Sequence, residues 1–317
     1  MAVRQWALSF VFFLGVAEAL VRGLSPTPRA QVLVESRTIT FGETGGVVTW
    51  HTRDPQIEPT PCASSAASHQ AVVVGSSILR GSGTEGPNVF SELLRQRLDP
   101  AAWCVDNLSQ PAFSSEQKRA VALEALARPR PPDRLYWEVW QNDGGHYVRL
   151  GDTVINVGAY PLDEAGYPSP LGLPPAVNRG LFDHVALWRY AVLALGARDP
   201  ASQDPKARWE AILRDDLLPV VEAAKAVGTQ IVLIECPPLD RPFADSVVKP
   251  HRGFGAVWTF AGAQGLRWIR LESALEGEDY VALRADPCCH YNAAGHARLA
   301  DIFERDLVGD VVPEKQP

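Results

Sequence analysis

Ala71-Val72-Val73-Val74-Gly75-Ser76-Ser77-Ile78-Leu79-Arg80-Gly81 is the stretch that decides the fold. Four apolar, mostly β-branched residues have the length and composition of a buried strand, and they run straight into a glycine and two serines. The same change from a short apolar run to a polar turn recurs along the chain. Trp103 to Val105, Arg134 to Trp140, Gln230 to Glu235 and Leu266 to Leu271 read as further strands. Between them, Asn88 to Leu98 places Phe90, Leu93, Leu94 and Leu98 on one helical face, and Ser115 to Ala127 and Trp209 to Val227 have helical spacing. Strands alternating with amphipathic helices predict an α/β fold whose parallel sheet is covered on both faces.

Outside that core the chain changes character. Arg4 precedes the apolar run Trp6 to Val16, and Ala17-Glu18-Ala19 follows, which is the pattern of an export segment. Residues 1–23 are expected to be either a cleaved signal peptide or a short membrane anchor, and both outcomes stand open. Residues 24–68, rich in Pro, Thr, Ser and Gly, read as a stalk or N-terminal extension, with β-like runs at 31–34 and 46–50. Residues 69–317 form the main domain, interrupted by a Gly-, Pro- and Tyr-rich insertion at about 150–180.

The 317 residues are 46% hydrophobic, enough for a sizeable core. A net charge of −7 without a Lys/Arg block argues against a nucleic-acid partner. The five cysteines, Cys62, Cys104, Cys236, Cys288 and Cys289, are too irregularly spaced for a zinc site. No metal and no cofactor is expected. Cys62 with Cys288 or Cys289 is a plausible bridge, and an odd count leaves a thiol over.

Four segments carry chemistry. In open α/β sheets ligands bind beyond the carboxyl ends of the strands, where the first segment, Gly75-Ser76-Ser77, is placed. Asn107 to Gln117 follows the second strand, and Trp140-Gln141-Asn142-Asp143-Gly144-Gly145 the third, where an Asn side chain can donate to an oxyanion. The last is Asp286-Pro287-Cys288-Cys289-His290-Tyr291-Asn292, before a C-terminal helix from about Ala297 to Leu307. A histidine there can reach the serine while a carboxylate fixes its tautomer. Taken singly, each segment is also ordinary turn or capping chemistry. Ser76, His146 and His296 are the rivals for the nucleophile and base.

In this order, the four segments resemble the SGNH hydrolases, the GDSL-like esterases and lipases, over about His69 to Val308, and are most similar to exported bacterial members. The resemblance implies a three-layer α/β/α sandwich around a five-stranded parallel, doubly wound, flavodoxin-like sheet. It implies Ser77 as nucleophile, His290 as base and Asp286 as its orienter, with oxyanion donors from Ser77, Ala112 and Asn142. Three departures stand out. The family's Gly-Asp-Ser is Gly75-Ser76-Ser77, Ala112 stands where glycine is usual, and Asp-x-x-His gains a residue, so that either the loop bulges and Asp286 still reaches the imidazole, or His290 works in a dyad with a backbone carbonyl as orienter. The expected function is an extracytoplasmic esterase acting on a small-molecule or glycan ester, possible O-acyl groups of a surface glycan included. An O-acyltransferase using the same residues and a non-catalytic binding protein on the same scaffold are the alternatives.

Overall fold

The computed structural model describes residues 13–20, 30–32, 38–40, 47–49, 56–57, 62, 65–84, 86–110, 113–140, 143, 147–150, 153–156, 172–188, 191–192, 205–248 and 253–309. The chain divides into two compact units, residues 1–35 with 145–204, and residues 36–144 with 205–317.

In the first unit, Ala30–Val32 pairs antiparallel with Tyr147–Leu150, which pairs antiparallel with Thr153–Asn156. Residues 13–20 are helical, and the Glu18 carboxylate accepts the backbone N–H groups of Ala186 and Leu187, each at 2.8 Å. Those donors open a helical turn and have no intrahelical acceptor, so the carboxylate supplies what the turn lacks. Among the described residues no helix is long and apolar enough to cross a membrane.

The second unit holds the sheet. Its strands are β1 (His69–Val74), β2 (Trp103–Asn107), β3 (Arg134–Val139), β4 (Gln230–Glu235) and β5 (Arg267–Arg270), all parallel, in the order β5-β4-β3-β1-β2. The order reverses between β1 and β3, and the crevice at that switch is where a doubly wound sheet opens to a ligand.

Alternating side chains feed two cores. Ala71, Val73, Tyr136, Val232 and Ile234 pack with Phe90 and Leu94 of a helix at Phe90–Arg97 and with Leu299 and Phe303 of the last helix, Ala293–Val308. Val72, Val74, Leu135, Trp137 and Leu233 face the other way. They pack with Val121 and Ala125 of Ser115–Leu126, Val221 of Leu218–Val227 and Val257 of Phe254–Gln264. Two-sided burial explains why the strands read as continuous apolar runs. Each fully buried large side chain contributes about 1.5–3 kcal/mol relative to exposure.

Two elements differ from expectation for local reasons. The span expected as one helix, Trp209 to Val227, is Pro205–Ile212 and Leu218–Val227 joined by a π-helical turn at Leu213–Leu217. Pro219 has no N–H to give the fourth residue back, and the Asp215 carbonyl accepts from Arg119 at 2.9 Å. The last helix begins at Ala293, four residues earlier than expected, because the Asn292 side chain caps it by accepting from Gly295 N–H at 3.0 Å.

The cysteine expectation is corrected. Cys62 pairs with Cys104, with Cα atoms 5.5 Å apart, and Cys288 pairs with its neighbour Cys289. Cys104 lies near the start of β2, at the amino end of the sheet, whereas residues 288 and 289 belong to the loop that faces the opposite end. A strand of five residues separates those ends by about 16 Å, which no disulfide spans. Cys236 is free and buried.

Candidate active site

The turn after β1 is shaped by its own sequence. Ser76 is extended and caps the short helix Ser77–Arg80, its hydroxyl accepting from Ile78 N–H at 3.5 Å, so Ser77 becomes the first helical residue. Gly75 has no special dihedral to satisfy. A Cβ at Gly75 would lie 2.8 Å from Glu138 Oε2, so glycine admits a carboxylate hard against the backbone. Glu138, on β3, uses that approach to accept Ser76 N–H at 2.9 Å and Leu79 N–H at 3.3 Å. Among the described residues Ser77 N–H has no acceptor.

The histidine loop is a small closed turn. Arg284 and Tyr291 form an antiparallel bridge, and Ala285 N–H donates to the His290 carbonyl at 2.8 Å. Inside it, Asp286 Oδ1 accepts from the backbone N–H groups of Cys288, Cys289 and His290 at 2.9, 3.0 and 3.3 Å. Asp286 Oδ2 bonds the Nδ1 of His290. The extra residue is absorbed where Cys288 and Cys289 are joined, and the loop bulges around the carboxylate. Gly83 brings the turn after Ser77 against this loop, since a Cβ there would lie 2.4 Å from the Tyr291 carbonyl.

His290 Nε2 lies 2.9 Å from Ser77 Oγ. Burial raises the Asp286 pKa, but the His290 ring and the backbone N–H groups of Cys289, His290 and Cys288 outweigh it and hold the group at about 2. An ionised carboxylate only accepts, so Nδ1 carries the proton and Nε2 presents its lone pair to the serine hydroxyl. The arrangement can take a proton from Ser77 and stabilise the imidazolium that results.

The rivals are placed elsewhere. Ser76 Oγ is occupied as a cap. His296 is buried in the last helix, and Phe90 N–H donates to its Nδ1 at 3.4 Å. Burial, then the neighbouring His290, lower its pKa to about 4, so it packs as a neutral ring. His146, Ala112 and Asn142 lie outside the described residues. Asp286, Cys288 and Cys289 present ligand atoms within 4.8 Å of one another, but sulfurs bonded to each other are not the thiolates a metal takes.

Sequence reasoning missed the support beneath the serine. Lys118 Nζ donates to Asp143 Oδ1 at 2.6 Å, to the Glu138 carbonyl at 3.0 Å and to Glu138 Oε1 at 3.3 Å, while Asp143 Oδ2 accepts Trp140 N–H at 3.1 Å. All three charged side chains are buried. One signal was present: Glu138 is a charge inside the apolar run Leu135-Tyr136-Trp137-Glu138-Val139, and buried charges need partners.

No family model matches the sequence, and no curated protein matches it. Solved structures with a similar chain path include TesA (18% identity, 76% of this chain and 99% of that one, TM-score 0.43). A lipase/acylhydrolase from Enterococcus faecalis is similar at 16% identity over 78% of this chain and 99% of that one, TM-score 0.42. The psychrotrophic esterase EstA from Pseudoalteromonas sp. is similar at 13% identity over 77% and 98%, TM-score 0.43. At TM-scores below 0.5, the chemistry rests on the geometry of Ser77, His290 and Asp286 rather than on these likenesses.

Proposed function

We propose that this chain is a serine esterase, and that Ser77, His290 and Asp286 are its nucleophile, base and orienter. The observation that carries the reading is the continuous contact from Ser77 Oγ through the imidazole to an ionised carboxylate. As Ser77 attacks an ester carbonyl, His290 Nε2 takes the hydroxyl proton and later gives it to the leaving alkoxide. The Ser77 N–H, which has no acceptor among the described residues, faces the tetrahedral oxyanion, with the Ala112 N–H and the Asn142 side chain as the further donors the family resemblance implies. Water then releases the acyl group.

The substrate class is a small-molecule or glycan ester, with O-acyl groups of a surface glycan as the family-based choice. An exported location, released or held by residues 1–23, is supported by the export-like N-terminus and by the Cys62–Cys104 bridge, which suits an oxidising compartment.

Turnover of short-chain p-nitrophenyl esters by the full-length chain tests this. Ser77→Ala and His290→Ala should each lower kcat by about 10⁴-fold or more, as triad knockouts do elsewhere. Unchanged turnover in Ser77→Ala would contradict the assignment. Partition of the acyl group between water and an added sugar hydroxyl distinguishes hydrolysis from transfer.

A further inference from the structure

Three charges are sealed beneath the nucleophile, and each belongs to a different site segment. Lys118 lies in the helix Ser115–Leu126, which follows the loop bearing Ala112. Glu138 lies in β3 and holds the N–H groups of Ser76 and Leu79, on either side of Ser77. Asp143 follows Asn142 in the chain and holds Trp140 N–H. Exposure of Lys118 and Glu138 is 0%, and of Asp143 1%.

Burying such a cluster is costly, and apolar packing often serves stability as well or better. What the cluster adds is direction. Glu138 can point both backbone N–H groups at one carboxylate only while that carboxylate keeps a cation, and Lys118 is the cation in contact with it. The same ammonium takes Asp143, so the nucleophile turn and the turn after β3 are referred to a single atom.

We propose that Lys118 is a positioning residue for ester cleavage, fixing Ser77 relative to the turn after β3 by holding Glu138 and Asp143 at once. This rests on the esterase reading of Ser77 and goes beyond it, because Lys118 touches neither substrate nor the reacting atoms. The electrostatics agree with the geometry. Burial lowers the Lys118 pKa, but Asp143 and Glu138 outweigh it and keep the ammonium charged. Burial also raises Asp143 to about 6 against the pull of Lys118. Among the described residues, the Cys236 thiol also faces them and the Tyr291 hydroxyl interacts with Glu138, and burial pushes both up so that they stay neutral.

The test is steady-state ester turnover by the full-length chain, with the folded fraction measured by near-UV circular dichroism. Lys118→Met should lower kcat about ten- to a hundredfold, with KM within about twofold, because displacement of a nucleophile by an ångström costs on that scale. Glu138→Gln is isosteric and carries the same expectation, so a Lys118→Met chain that fails to fold leaves the test standing. Asp306→Asn breaks a buried ion cluster at the amino end of the sheet and should lower the melting temperature while leaving kcat per folded molecule unchanged. Folded Lys118→Met and Glu138→Gln proteins with wild-type kcat would overturn the proposal and leave the esterase reading intact. No turnover by the wild type would remove the esterase reading and the proposal together.

Discussion

At the amino end of the sheet, Asp306 of the last helix is shared by Arg134 (2.8 Å), Arg267 (2.6 Å) and the Tyr136 hydroxyl (2.6 Å). At the carboxyl end, one cation, Lys118, is shared by two carboxylates, Glu138 and Asp143. Both clusters bury charge, yet they hold different things. The first ties the starts of β3 and β5 to the last helix, so its excess of positive charge reinforces architecture. The second leaves carboxylate lone pairs free to accept backbone N–H groups, and those belong to the two turns that frame Ser77. A cluster with surplus acceptors can aim backbone, whereas one with surplus donors mainly locks side chains together.

Substitutions at the two ends should therefore separate activity from stability. Among substitutions that leave the nucleophile and base in place, the largest effect expected is from Asp286→Asn, which keeps the shape but no longer fixes the His290 tautomer. Kcat should fall about a thousandfold with little change in the melting curve, less than for a fully buried orienter because Asp286 is partly exposed. Asn142→Ala, removing the side chain assigned to the oxyanion, should cost about a hundredfold in kcat with KM nearly constant, and near-full activity would refute that role. Asp306→Asn should reverse the pattern, with about 3 kcal/mol of stability lost in denaturant titration and no loss of kcat per folded molecule.

The smallest effect concerns pH. Asp143 has its pKa raised from 3.8 to about 6, so the folded chain binds a proton there that the unfolded chain does not. Its ionisation works against folding: this contribution makes the fold more stable as pH falls from above 6 towards 4, and less stable as pH rises again. Asp143→Asn should flatten that portion of the stability profile. A profile identical to wild type between pH 4 and 7 would place the raised group elsewhere.

Much of this was legible in the sequence, for physical reasons. The strands were visible because a sheet covered on both faces needs nearly unbroken apolar runs, and Val72, Val73 and Val74 serve opposite cores in turn. The pairing of Ser77 with His290 was legible only through the family resemblance, because each segment taken singly is also ordinary turn or capping chemistry; the structure brings the two side chains to 2.9 Å. Asp286 was visible as a residue type, but its reach depended on how the Cys288–Cys289 turn folds, which spacing does not determine. Lys118 was hidden by its residue type: it stands three and four residues before Val121 and Ala122, on the buried face of Ser115–Leu126, but a lysine is seldom buried, and only the folded sheet shows Glu138 beneath it. The Cys62–Cys104 pairing was hidden because it depends on which end of the sheet each cysteine occupies. Ser76 shows why a departure from Gly-Asp-Ser need not matter locally: serine and aspartate are comparable helix caps, and the cap is what the position supplies.

The most direct test of the central claim is mass-spectrometric mapping of a fluorophosphonate adduct on the full-length protein, beside Ser77→Ala and His290→Ala. An adduct on Ser77 that disappears in both variants is the predicted result, because labelling requires both the hydroxyl and the base that activates it. A folded wild-type protein that carries no adduct, or carries it on another residue, would contradict the assignment of Ser77 and His290 and favour a binding role for the scaffold.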